Sequence, residues 1–136
     1  MKLLKLFKTK YNSMFYGDTV EVLSGIRQTL NDCSVILSKT SLDNYSNNFQ
    51  LCGDSFEHVV GIIDSFIINW KSDEYNICNT LKTIREYIEY YIRLCDSSSP
   101  SNYNMNRKYM IESIETVSLT INSKLRYLVK SYKESN

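Results

Sequence analysis

The sequence predicts an all-α protein, a four-helix up-and-down bundle with a short additional helix at its start. Three observations carry that prediction. Apolar residues recur at alternating steps of three and four through four long segments, polar stretches rich in Ser, Asn and Asp separate those segments, and the only proline falls in one of the separators.

Residues 56–95 form the hub. Phe56, Val59, Ile63, Phe66 and Trp70 share one helical face, which Val60 and Ile67 widen. After the polar residues 71–73, the same rhythm resumes with Ile77, Leu81, Ile84, Ile88, Tyr91 and Cys95, so the pair reads as an antiparallel helical hairpin. Neither stripe can be buried alone, and the rest of the chain must supply the other walls. Trp70 is expected to anchor the packing, with Trp70→Ala costing about 3–5 kcal/mol.

The remaining elements follow in order. Residues 1–12 are a basic amphipathic segment, with Leu3, Leu4, Phe7 and Tyr11 on one face and lysines largely around the other. Such a segment can lie on an anionic membrane or dock on its own bundle, and three turns are short for membrane attachment unaided. Residues 12–17 read as a break, and Asp18 to Glu21 as a capping box that opens a helix carrying Leu23, Ile26, Leu30, Cys33 and Leu37. Residues 38–53 lack a lasting period and read as a loop, after which Asp54 caps the hub's first helix. Residues 96–104, which contain Pro100, read as a flexible loop. The last helix, 104–132, turns Met110, Ile114, Val117, Ile121, Leu125 and Leu128 inward. Gly25 and Gly61 fall inside predicted helices, where close helix–helix approach, or else a ligand-sized gap, would account for them. No internal repeat stands out beyond the shared rhythm.

The totals bound the class. At 136 residues the chain is one domain able to bury a core without metals or disulfides. Its hydrophobic fraction of 43% against 23% charged residues is a globular balance, and no apolar run nears the roughly 18 residues that suggest a membrane span, so a soluble, cytoplasmic protein without a transmembrane segment is expected. The formal charge of +1 conceals a distribution. Residues 1–10 carry four lysines and no acid, residues 11–100 twelve acids against six bases, and residues 101–136 six bases against three acids. Alanine is absent, so bulky side-chain packing must hold the helices. Cys33, Cys52, Cys78 and Cys95 have no Cys-x-x-Cys spacing, and reduced, buried thiols are expected.

Chemical motifs are scarce. His58, the only histidine, lies one turn after Asp54, and a pair of this kind is more often a solvated helix surface than a catalytic dyad. Asp54, Glu57, His58 and Asp64 do not form the Glu-x-x-His pairs of bundle metal sites; Glu86 and Glu89 would join them only if buried. No Gly-rich phosphate loop is present. The expectation is therefore a protein with no enzymatic role and no cofactor, acting through a protein partner or as a homodimer. The candidate partner surface is Tyr87, Tyr90, Tyr91 and Arg93, since tyrosine and arginine are favoured at interfaces. The alternative is a nucleic-acid or anionic-surface binder using Lys124, Arg126, Lys130 and Lys133 on the last helix.

The run GIIDSFIINWKSDEYNICNTLKTIREYIEYYI, residues 61–92, resembles the late central-helix segment of poxvirus Bcl-2-like proteins, which share an apolar helix ending in tryptophan and a following amphipathic helix. The resemblance implies an all-helical intracellular antagonist of host apoptotic or inflammatory signalling that grips a partner helix or adaptor. The Asn-Trp-Gly-Arg motif of that family is absent, so no binding residue carries over.

Overall fold

The computed structural model describes residues 2–70 and 74–135, with side chains described for 14–70 and 75–134. Four helices follow one another: α1 (Lys2–Ser38), α2 (Tyr45–Asn69), α3 (Ile77–Asp96) and α4 (Tyr103–Ser135), with a short 3₁₀ turn, Glu74–Asn76, ahead of α3. No strand occurs among the described residues. The apolar stripes meet in one core. Leu23, Ile26, Leu30 and Leu37 of α1 face Phe56, Val59 and Ile63 of α2, Leu81, Ile84 and Ile88 of α3, and Met110, Ile114 and Ile121 of α4. The α1–α2 hairpin lies beside the α3–α4 hairpin, so that α1 packs on α4 and α2 on α3.

Several predicted boundaries move. The break at 12–17 and the separate short first helix are replaced by one continuous α1, in which residues 2–12 are the opening turns. Gly17 weakens a helix there by only about 1 kcal/mol, and the burial of Phe15 and Thr19 on either side outweighs it. Asp18 is mid-helix and caps nothing, and the Thr19 hydroxyl beside it donates to the carbonyl of Phe15 at 2.6 Å, a mid-helix arrangement. The side chains of the 1–12 segment lie outside the described residues.

The predicted loop 38–53 shrinks to residues 39–44, because Phe49 and Cys52 are buried in the first turns of α2. Asp54 is therefore mid-helix and accepts from Gln50 at 3.0 Å rather than capping. Similarly, the 96–104 loop contracts to 97–102. Gly25 and Gly61 are exposed, and a Cβ at either would meet nothing within 4 Å, so close helix approach does not explain them. The neighbour lies instead at Gly53, where a Cβ would sit 3.7 Å from the Cβ of Cys95.

Each end of the bundle has its own chemistry. At one end Phe15 is the centre of an aromatic cluster, 5.1 Å edge-on to Trp70, 5.9 Å from Phe66 and 6.3 Å from Tyr75. Trp70 leaves the helical conformation there and is half-buried, and the chain re-enters α3 through Tyr75 and Asn76, both at positive φ. The other end is made of two similar turns. In the first, Asn44 Oδ1 accepts from the Ser41 N–H at 2.7 Å, and Asn48 donates to Thr40 Oγ1 at 3.0 Å. In the second, Asn102 Oδ1 accepts from the Ser99 N–H at 2.6 Å, and Asn106 donates to Ser98 Oγ at 3.0 Å. Tyr45 and Tyr103 stack between the turns at 5.2 Å.

The cysteines are free; Cys33, Cys52 and Cys78 are buried, and Cys95 is half-buried. Cys52 donates through sulfur to the Cys33 carbonyl at 3.8 Å. A hydrogen bond between the two thiols lowers the pKa of Cys33 and, with burial, raises that of Cys52.

Candidate functional site: the groove between α3 and α4

Of the neighbouring helix pairs, α3 and α4 pack least closely. They are joined near the 97–102 turn, where Tyr91 hydrogen-bonds Ser113 and the Cys95 thiol lies 3.9 Å from Met110 Sδ. Further along, small side chains leave them apart. Thr80 and Thr83 of α3 face Thr116 and Thr120 of α4 around a cavity of about 240 Å³. Its floor is apolar, because the buried Ile84 and Val117 reach it from the two stripes. The helical period explains this arrangement, since threonines one step off each stripe flank the helix contact.

Tyr87 joins this cavity to a second one of about 380 Å³, lined by Thr83, Glu86, Tyr90, Arg93 and Tyr109. Tyr87, Tyr90 and Tyr109 are 43%, 39% and 42% exposed, unusually open for three clustered aromatics. Two of them are nonetheless held in contact: Tyr90 meets Tyr109 edge-on at 5.4 Å, and the Arg93 guanidinium lies 5.5 Å from the Tyr90 ring centre. Thus the groove has an apolar floor, threonine sides and an aromatic rim carrying one cation. Such a surface can seat an apolar segment and satisfy its polar edges.

The predicted surface is brought together in part. Tyr87, Tyr90 and Arg93 belong to it, whereas Tyr91 is wholly buried against Phe56 and is a core residue. Burial pushes the Tyr91 phenol up to about 12, with the Ser113 hydrogen bond opposing the rise. Tyr109 joins them from α4, where the sequence sets it among the tyrosines interleaved with the basic residues of the last helix and not with Tyr87 and Tyr90; it directly precedes the core residue Met110, which sets it beside the core line. The threonines give no sequence signal, because a groove depends on how far apart two helices stand.

Comparison of the chain with protein-family models, curated proteins and solved structures gives no match.

The sequence singles out two other surfaces. His58 is exposed and lines a depression of about 600 Å³ between α1 and α2 with Asp18, Glu21, Ile62, Phe66 and Trp70. Asp64 pairs with Arg85 at 2.8 Å, and Arg85 also reaches Glu89 at 3.4 Å, so two of the carboxylates considered for metal ligation are engaged in ion pairs. Among the described residues no group of three His, Cys, Asp or Glu side chains is disposed to hold a metal. The basic residues Arg126, Lys130 and Lys133 are exposed on α4, while Lys124 is half-buried over the Tyr127 ring at 5.1 Å. Stacking of Tyr16 on Tyr132 at 4.0 Å joins α1 to this basic end of α4. Among the described residues no helix is long and apolar enough to cross a membrane.

Proposed function

We propose that the chain is a non-enzymatic interaction module that grips a helical segment of a protein partner in the α3–α4 groove. The observation that carries this reading is the continuous path from the threonine-walled cavity to the exposed Tyr87–Tyr90–Tyr109 rim with Arg93. Half-exposed tyrosines give up little conformational freedom on binding, and tyrosine and arginine are over-represented among residues that dominate interface energies. An amphipathic partner helix would set its apolar face on Ile84 and Val117 and its polar edges on the threonines. The resemblance of residues 61–92 to poxvirus Bcl-2-like proteins supports a role for this grip in antagonising host apoptotic or inflammatory signalling.

The test compares the native protein with Tyr90→Ala and Tyr87→Glu in affinity capture from host cells, with mass-spectrometric identification, followed by titration of the captured protein. Each substitution should weaken binding by 10-fold or more, about 1.4 kcal/mol, with helicity unchanged. Unaltered affinity in both variants refutes the groove. Sedimentation of the same samples separates a homodimer, which Tyr87→Glu would dissolve, from a foreign partner.

The second reading, an anionic-surface or nucleic-acid binder, draws its support from the Tyr16–Tyr132 stack. Tyr16, which follows the basic residues 2–10 in sequence, packs there on the basic end of α4. Random DNA or RNA should then bind at low salt and be released steeply on approach to physiological salt. Absence of binding at low salt eliminates this reading.

A further inference from the structure

The two turns described above are related by a constant spacing of 58 residues. Thr40, Ser41, Asn44 and Asn48 correspond to Ser98, Ser99, Asn102 and Asn106, and the two asparagine hydrogen bonds that close the first turn recur in the second. The agreement reaches weaker contacts: Asn44 donates to Lys39 O and Asn102 to Ser97 O, both at 3.4 Å. Thr40 likewise donates to Ile36 O at 2.8 Å, and Ser98 to Leu94 O at 2.6 Å.

The same spacing relates part of the core, although buried Phe49 and Phe66 fall opposite Arg107 and Lys124. Leu23, Ile26, Val59 and Ile63 become Leu81, Ile84, Val117 and Ile121, all buried and all unchanged in identity. It also relates one side-chain contact at each interface between the hairpins. Arg27 of α1 reaches Asn122 of α4 at 2.8 Å; adding 58 to the first and subtracting it from the second gives Arg85 and Asp64, which pair at 2.8 Å. The Tyr91–Ser113 hydrogen bond has its counterpart in Cys33 and Ser55, whose side chains also interact. Tyr45 and Tyr103, which correspond to each other, stack face to face, as equivalent residues do beside a twofold axis. Amphipathic helices share a three-four rhythm for general reasons, but that rhythm does not require a common register across turn, core and inter-hairpin contacts.

We infer that the chain is a tandem duplicate of one helical hairpin, residues 19–70 corresponding to 77–128, and that the partner surface belongs to the second copy alone. The second part rests on the interaction reading above. Both hairpins keep a depression at the same place: Thr80, Thr116 and Thr120 of the α3–α4 groove correspond to Val22, His58 and Ile62, which line the depression between α1 and α2. Their rims differ. The positions of Tyr87, Tyr90, Arg93 and Tyr109 are held in the first copy by Thr29, Asp32, Val35 and Leu51. A helical hairpin of this design is therefore built without the aromatic rim, which marks those four residues as determinants of recognition.

Two full-length variants test the two parts separately, each read by thermal melting and far-ultraviolet circular dichroism. The first exchanges residues 39–44 with residues 97–102. Equivalent turns should trade places with Tm kept within about 8 °C, roughly 2–4 kcal/mol for a domain of this size; a larger fall overturns the duplication. The second combines Tyr87→Thr, Tyr90→Asp and Tyr109→Leu, giving the second copy the rim of the first. Its Tm should stay within the same margin. A larger fall would make the tyrosines part of the fold's support and sink their assignment to recognition, while the turn exchange still decides the repeat independently.

Discussion

Phe15 takes the anchoring role that sequence alone assigns to Trp70. Trp70 ends α2 and is half-buried, while Phe15 is fully buried with three aromatic neighbours. Truncating a buried aromatic removes its transfer energy and leaves a cavity, whereas a half-exposed one loses less. Phe15→Ala should accordingly cost about 3–5 kcal/mol, and Trp70→Ala about 2–3 kcal/mol rather than the larger figure. Chemical denaturation measures both, and a costlier Trp70→Ala would reverse this ranking. Tyr91 offers a second measurement. Its folded phenol is raised to about 12 from an ordinary 10.0, so the neutral form stabilises the fold. That contribution is complete below pH 10 and is lost as pH rises toward 12, each tenfold difference in proton affinity between folded and unfolded chains being worth about 1.4 kcal/mol. Tyr91→Phe should flatten the fall in stability over this window, as followed by denaturation at fixed pH values; an unchanged slope would show that the phenol is not desolvated in the fold.

At the scale of elements, the helices end where side chains replace lost backbone hydrogen bonds. Asn48 and Asn106 each sit in the first turn of a helix and tie it back to the turn before it. Removing such a partner takes one hydrogen bond from a hydroxyl that still donates to Ile36 O or Leu94 O, at a cost of about 0.5–1.5 kcal/mol. Asn48→Ala and Asn106→Ala should therefore destabilise the protein by similar amounts, Asn106→Ala somewhat more because Asn106 is buried. Urea midpoints for the pair check this, and a cost at only one of them would show that the turns are not equivalent in energy. The turn into α3 works differently. Tyr75 and Asn76 adopt left-handed backbone conformations, which asparagine tolerates and tyrosine rarely does; contact of Tyr75 with Phe15 and Tyr127 supplies the compensation.

Across the whole molecule, polar contacts join the hairpins at equivalent places. The Arg27–Asn122 and Arg85–Asp64 contacts span α1–α4 and α2–α3, the two interfaces through which one hairpin meets the other. Both are partly exposed, so their worth is more in fixing register than in energy. Within each hairpin the packing is looser, and most so between α3 and α4. The candidate site follows from that imbalance: a bundle held together between its hairpins can leave a groove inside one of them.

The four apolar stripes are legible in the sequence because burial follows a local period of 3.6 residues. Leu23, Ile63, Ile84 and Ile121 are buried as that period requires. Tyr87, Tyr90 and Arg93 are legible as well, being aromatic or charged and off the core line. Boundaries are less so: Gly17 and the polar residues of 38–53 resemble breaks locally, yet burial of Phe15, Phe49 and Cys52 makes helix the better choice. Tertiary structure alone decided the rest. It separated α3 from α4 to open the groove and packed Tyr16 of α1 on Tyr132 at the basic end of α4. It also aligned two turns whose hydrogen bonds recur although several of their residues differ. The reason is physical: periodicity states which face of a helix avoids water, but the distance and register between helices depend on contacts among residues far apart in the chain.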